Sequence, residues 1–275
     1  MTRNGVLELE FCRDAQRTYV HRQFASYPFH ICRPHYLTDD PPGFATLYTQ
    51  SLAGGIFEKD RLNISMHCGP GSMVHCTSQA STIVHSMSDG DARHRVEIYI
   101  GNDAFVEYMP DPVILFPCAN FSSSVAISST LSGELILCDS ILSHDPLGKN
   151  GAFHQLKSEL IVSDEAGTLL ACDRFLVSGT TFLSQSPGIC GSYSAFGSVF
   201  FISRSSHKEV MIDAIRSGLD RLSGIYGGVS LMPNECGIVT RILASNAHSM
   251  RSGINAVWSS VRCMRFGVPP QPRRK

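Results

Sequence analysis

Apolar and polar side chains alternate every second residue, in short runs cut by turn residues, and this limits the folds open to the chain more than any other feature. Leu7, Leu9 and Phe11 alternate with Glu8 and Glu10, and Val96, Ile98 and Ile100 with Glu97 and Tyr99. After Gly101-Asn102-Asp103 the pattern resumes at Ala104, Val106 and Tyr108; further short runs hold Val125 and Ile127, then Leu135 and Leu137 after the Ser132-Gly133 turn. Lys157 to Val162 and Leu169 to Val177 bracket Asp164-Glu165-Ala166-Gly167. A period of two is that of half-buried strands, and Gly, Pro, Asn and Ser are the residues that break them. The expected fold is mainly β, with many short strands in a helically wound or sandwich-like architecture.

The last third changes period. Met211, Ile215, Leu219 and Leu222 give a helical stripe over His207 to Leu222, with Ser205-Ser206 as N-cap and Gly224 as stop. Met250, Ile254, Val257, Val261 and Met264 give a second over Ala247 to Met264, with Trp258 beside it. Arg251, Arg262 and Arg265 are assigned to its polar side, and both stripes are expected to pack on the β-core. Gly227 to Ala244 reads as one or two strands. No fixed repeat or shift in composition divides the chain, so residues 1–266 are taken as one domain and 267–275 as a disordered Pro-rich basic tail.

The chain of 275 residues is 43% hydrophobic and 17% charged, which excludes general disorder. A net charge of −1 carries none of the basic excess of a nucleic-acid binder. The start MTRNGVLELEF lacks an apolar secretory core, and no apolar run reaches membrane-spanning length. Ten cysteines are scattered without a C-x-x-C pair, so reduced thiols buried as small hydrophobes are expected.

The stretch HCGPGSMVHC is the first metal candidate. With a hairpin turn at Gly71-Ser72, Cys68 would face His75 and His67 would face Cys76, leaving one His and one Cys on each side of the sheet. Two donors do not close a tetrahedral site, so the stretch is read as ordinary strand. There is no G-x-S-x-G elbow, P-loop, dinucleotide fingerprint or H-E-x-x-H. Asp60, Glu97, Glu107, Glu134, Asp139, Glu159 and Asp173 lie in strand-like segments, most of them expected at edges or solvent faces. These observations lower the case for an enzyme, while a β-scaffold hydrolase with a Cys or Ser nucleophile and a His stays open beside a structural interaction module.

Several segments, in order, resemble the urease accessory protein UreD (UreH) family. CTSQASTIVHSM (Cys76 to Met87) is similar to its TTQ-containing segment. Gly54-Gly55-Ile56-Phe57-Glu58-Lys59-Asp60 is similar to GG-x-x-x-G-D, and Val106-Glu107-Tyr108-Met109-Pro110 with Ile114-Leu115-Phe116 and Ala119 to LEWLP and its continuation. Gly228 to Arg241, Ala244 and Val257-Trp258 to Arg262 are similar to the C-terminal part, so the likeness runs from about Gly5 to Arg262. Two departures mark a divergent member. Lys59 replaces a glycine, and Leu147-Gly148-Lys149-Asn150-Gly151-Ala152-Phe153 lacks the family's Arg and Glu.

The resemblance implies a cytoplasmic, non-enzymatic chaperone of urease maturation. Its partners would be apo-urease, a helical (UreF-like) accessory protein and, through it, a nickel-carrying (UreG-like) GTPase. Nickel would pass through an internal polar channel, with no tightly bound cofactor. A conduit must bind its ion weakly, which favours exchangeable oxygen donors over thiolates. Asp60, Thr77, Asp139 and Asp173 are the expected transient nickel contacts, with His67, His75 and His85 as weaker ones.

Overall fold

The structure, a computed structural model, describes residues 3–204 and 207–271. In chain order the first strands are β1 (Asn4–Arg13), β2 (Thr18–Ala25), β3 (Phe29–Ile31), β4 (Ala45–Ser51), β5 (Arg61–Cys68) and β6 (Met73–Ser78). The middle of the chain forms β7 (Thr82–Val84), β8 (Ala92–Ile100), β9 (Phe105–Tyr108), β10 (Val113–Leu115), β11 (Asn120–Ser129), β12 (Glu134–Ser143), β13 (Gln155–Asp164) and β14 (Leu169–Ser178). A one-turn helix α1 (Gly179–Phe182) precedes β15 (Ala195–Ile202); α2 (Lys208–Leu219), β16 (Ile225–Leu231), β17 (Gly237–Ala244) and α3 (Ala247–Phe266) complete the chain.

The strands form two sheets. One runs β14-β13-β11-β8-β5-β1-β2; the other runs β16-β17-β15-β12-β9-β6-β4-β3, with β7 and β10 pairing beside β12. The centre is wound: β5, β8, β11 and β13 are parallel neighbours in the first sheet, and β4, β6, β9 and β12 in the second. The chain therefore passes from one sheet to the other at each corner. Cys68 pairs with Ile100 and Ile100 with Ser129, so successive coils differ in length and no fixed period is visible in the sequence. Antiparallel strands close both ends.

This winding corrects the expected hairpin at Gly71-Ser72. The segment is a corner, with β5 in one sheet and β6 in the other. Gly69 N–H donates to Phe11 O, and Gly71 N–H (2.8 Å) to Asn102 O in the corner of the next coil. A Gly/Pro turn that crosses between sheets has the composition of one that reverses a strand. Cys68 and Cys76 both point between the sheets, while His67 is exposed and His75 lies on the opposite outer face, under α3. The hairpin at Asp164–Gly167 forms as expected between β13 and β14.

The inward residues of both sheets, among them Leu7, Phe11, Ile64, Val96, Val106 and Leu135, make the main core. A second core lies where α2 and α3 cover the outer face of the β12–β15–β17 sheet. There Met250, Ile254, Val257 and Val261 are buried, each worth about 1.5–3 kcal/mol of hydrophobic transfer. The proposed N-cap Ser205-Ser206 lies outside the described residues; α2 starts after His207 without a side-chain cap. Asn246 caps α3 through Ser249 N–H, and Gly267, with φ at 75°, ends it. Among the described residues no helix is long and apolar enough to cross a membrane.

Arg262 is the main correction in α3. It stands four residues after Trp258 on the packed side and is 1% exposed. A charge is affordable there because it is matched: its Nε donates to Glu107 Oε1 (2.5 Å) and its Nη1 to Asp40 Oδ1 (3.2 Å).

Candidate functional site

Between the two sheets lies a cavity of about 300 Å³. The loop Gly54–Ile56 and the segments Thr49–Ser51 and Ser78–Ile83 form its rim. Its inner wall is apolar in Ile64, Val96, Phe121 and Leu137, and carries His94, Tyr108, Ser123 and Asp139 among them. The period-two rule explains the mixture: each polar residue occupies an inward position that an aliphatic one would otherwise fill.

Burial sets the chemistry of these groups. It lowers the His94 pKa to about 4, so the imidazole is neutral at physiological pH and keeps a lone pair to offer. It raises Tyr108, which stays a phenol. It also raises the Asp139 carboxyl, against the Ser158 hydroxyl that donates to Oδ2 (3.0 Å) and the Arg241 charge. Buried Cys76 is pushed up to about 12 and Cys68 higher still, so neither supplies a thiolate nucleophile or metal ligand.

Of the four expected contacts, Asp139 lines the cavity. Asp173 accepts from Arg241 Nη2 (2.6 Å), and both charges act on Asp139. Asp60 is fully buried, paired with Arg3 and accepting from Phe57 N–H (2.8 Å), which ties down the loop at the rim. Thr77 Oγ1 donates to Met109 O (2.7 Å) and fixes the chain entering Pro110–Asp111. His85 stacks on Phe57 with ring centroids 4.2 Å apart, and His67 on Tyr99 at 4.5 Å. Among the described residues no three His, Cys, Asp or Glu side chains converge as a metal-holding group.

A second polar cluster lies under α3. Glu107, fully buried, accepts from Arg262 and from Trp258 Nε1 (2.8 Å) and pairs with His75 Nδ1 (2.8 Å). Burial would raise its pKa; the His75 hydrogen bond and the Arg262 charge outweigh that and hold it at about 2. Asp40, at the edge of the cluster, is raised by burial in spite of Arg262. Expecting most strand carboxylates at edges or solvent faces was thus wrong for Asp60, Glu107 and Glu134, each buried with a partner that offsets burial, and for Asp139, which faces the cavity. The reading from sequence missed His94, Tyr108 and Asp111 at the cavity. The signal for His94 was its place opposite Arg93 and Arg95 in the alternation of β8.

A family model described as UreD urease accessory protein matches residues 3–275. The chain is 35% identical over 258 residues to urease accessory protein UreD 1 of Pseudomonas syringae pv. syringae, covering 94% of this chain and 90% of the relative. It is 33% identical over 267 residues to urease accessory protein UreD 1 of Methylorubrum populi, covering 97% and 90%. It is 26% identical over 274 residues to urease accessory protein UreD of Photorhabdus laumondii, covering 98% and 85%.

Proposed function

The chain belongs to the UreD urease accessory protein family and so has a role in urease maturation; from that premise we propose that it binds apo-urease and lets nickel(II) pass through the cavity between its sheets. The helical accessory protein and the nickel-carrying GTPase are its proposed partners upstream, and the cytoplasm its place of work, where ten free cysteines are at home. Nickel is cargo in this reading.

One observation carries the proposal. A largely apolar cavity lies between the sheets, and the polar donors set into its wall are spread out rather than gathered at one point. Spread oxygen and neutral imidazole donors exchange an ion quickly, whereas a converged set of thiolates would trap it. Of the expected contacts, Asp139 is the carboxylate that lines the cavity, and the Arg241 and Asp173 charges act on it. Asp60 and Thr77 serve by fixing the rim.

The test is urease activation at limiting nickel with Asp139→Asn in the full chain. The expected result is slower activation with urease still co-purifying. Activation at the normal rate would overturn passage along this wall, and failure to recover urease with the unmodified chain would overturn the chaperone reading.

A further inference from the structure

The two sheets are finished differently on their outer faces. α2 and α3 lie over one of them, whereas among the described residues no helix packs across the outer face of the sheet that runs from β14 to β2. At one end of that bare face, strand register sets Arg61, Arg93, Ser122 and Lys157 side by side on β5, β8, β11 and β13. The next outward row holds Arg95, Ser124, Glu159 and Arg174 on β8, β11, β13 and β14. A hollow of about 530 Å³ opens among these rows, with Ser122 and Ser124 between the longer side chains.

We propose that this basic ground is a docking surface for an acidic segment of a partner protein, one that presents Asp or Glu side chains in a short cluster; the inference goes beyond the chaperone reading and is independent of the passage. Charge complementarity carries it. Arg61, Arg93, Arg95, Lys157 and Arg174 stand against Asp91, Glu97 and Glu159, an excess of two positive charges on a chain whose net charge is −1. Asp91 accepts from Arg61 Nη2 with one oxygen and from Arg93 Nε with the other, each at 2.7 Å, and so holds the two guanidiniums side by side. The Arg93 side chain is still 65% exposed and its outer nitrogens face solvent. Lys157 stands two strand spacings, about 10 Å, from Arg93. Among the described residues it forms no ion pair, so its ammonium gains most from an added carboxylate. Exposed ion pairs are individually weak, which is why the occupant must bring several acidic side chains together. The hydroxyls of Ser122 and Ser124 make no hydrogen bond within the described chain and donate to the same carboxylates. The arrangement disfavours nucleic acid. Glu159 lies among the cations, and the next outward row holds Glu8, Ser65 and Glu97, so a regular chain of phosphates would run onto carboxylates where a short acidic cluster ends.

The experiment titrates a fluorescein-labelled hexaglutamate peptide with the full chain and follows fluorescence anisotropy over a range of salt. Saturable binding that weakens as salt rises is expected. Lys157→Glu should weaken it on the order of tenfold at low salt with thermal unfolding unchanged. Ser124→Asp, a negative charge placed in the same hollow, should act in the same direction and decides the matter if Lys157→Glu does not fold. Arg251→Glu makes the same change of charge on α3, over the other sheet, and should leave the affinity within about twofold. An equal loss in Arg251→Glu would reduce the effect to net charge and overturn the docking surface. Absence of peptide binding would overturn it too, as would a labelled duplex DNA that binds more tightly than the peptide and is lost in Lys157→Glu. With the whole chain co-produced with urease and its accessory proteins, Lys157→Glu should release one of the co-purifying proteins at lower salt than the unmodified chain does. Unchanged release of every one of them would overturn the proposal. Should the unmodified chain recover none of them, the chaperone reading falls and the peptide titration still decides the docking surface.

Discussion

Arg262 of α3 and Glu107 of β9 form an ion pair in which neither side chain is more than 1% exposed. The pair bolts the last helix to the sheet whose other face borders the cavity, and His75, Trp258 and Asp40 complete it. Removing one partner leaves the other as an uncompensated buried charge. Arg262→Met or Glu107→Gln alone should therefore cost about 3–5 kcal/mol in chemical denaturation. The double variant should cost less than the sum of the two, since no lone charge is left between them. Additive losses would mean the two side chains do not share one interaction.

The strands were legible because alternation survives whatever a strand pairs with: Leu7, Leu9 and Phe11 are inward as read. The winding was not legible at Gly69–Ser72, because a corner and a hairpin turn ask for the same residues. Which sheet a strand joins depends on contacts such as Gly71 N–H to Asn102 O, made between segments far apart in sequence. Arg262 stands at the helical spacing of Ile254 and Trp258, so its place on the buried face was written in the periodicity. Its charge hid it, since arginine is exposed unless a partner waits, and Glu107 lies 155 residues away. The candidate site was legible only at Asp139. The cavity arises from two sheets meeting, and no local pattern in one strand announces what the other sheet leaves empty.

Lys59 has φ at 67°, in the left-handed region where a Cβ is strained. It occupies the position at which the resemblance sets a glycine, just before the buried Asp60. Lys59→Gly should relieve that strain and, net of the added freedom of the unfolded chain, stabilise by about 0.5–1 kcal/mol in urea unfolding. A loss of stability would mean the lysine side chain contributes more than its backbone costs.

His94 should make the fold sensitive to mild acid. Its folded pKa of about 4 lies below the unfolded value of 6.5, so between those values the unfolded chain binds the proton more readily. The stability of the neutral form is fully present above about pH 6.5 and is lost as pH falls toward 4, up to about 3 kcal/mol. His94→Gln should flatten the fall over that window when unfolding is followed at a series of pH values. Glu107 acts lower down: with its pKa held at about 2, its contribution is kept above about pH 4.5 and lost as pH falls through 2. An unchanged slope in His94→Gln would show that another group takes up the proton.

Thiol labelling reads the same interior by a different chemistry. Cys118, Cys172 and Cys263 are exposed, whereas Cys68 and Cys76 face each other's sheet in the core with their thiols pushed strongly upward by burial. Alkylation requires both access and the thiolate, and the two buried cysteines lack each. Mass spectrometry after brief alkylation at mildly alkaline pH should find the three exposed cysteines modified and Cys68 and Cys76 untouched. Their modification should appear only at the rate at which the wound strands open. Labelling of Cys76 as fast as Cys172 would mean that solvent reaches past the apolar wall of the cavity, and the contrast between polar donors and dry aliphatic lining, on which weak, exchangeable ion contacts depend, would be lost.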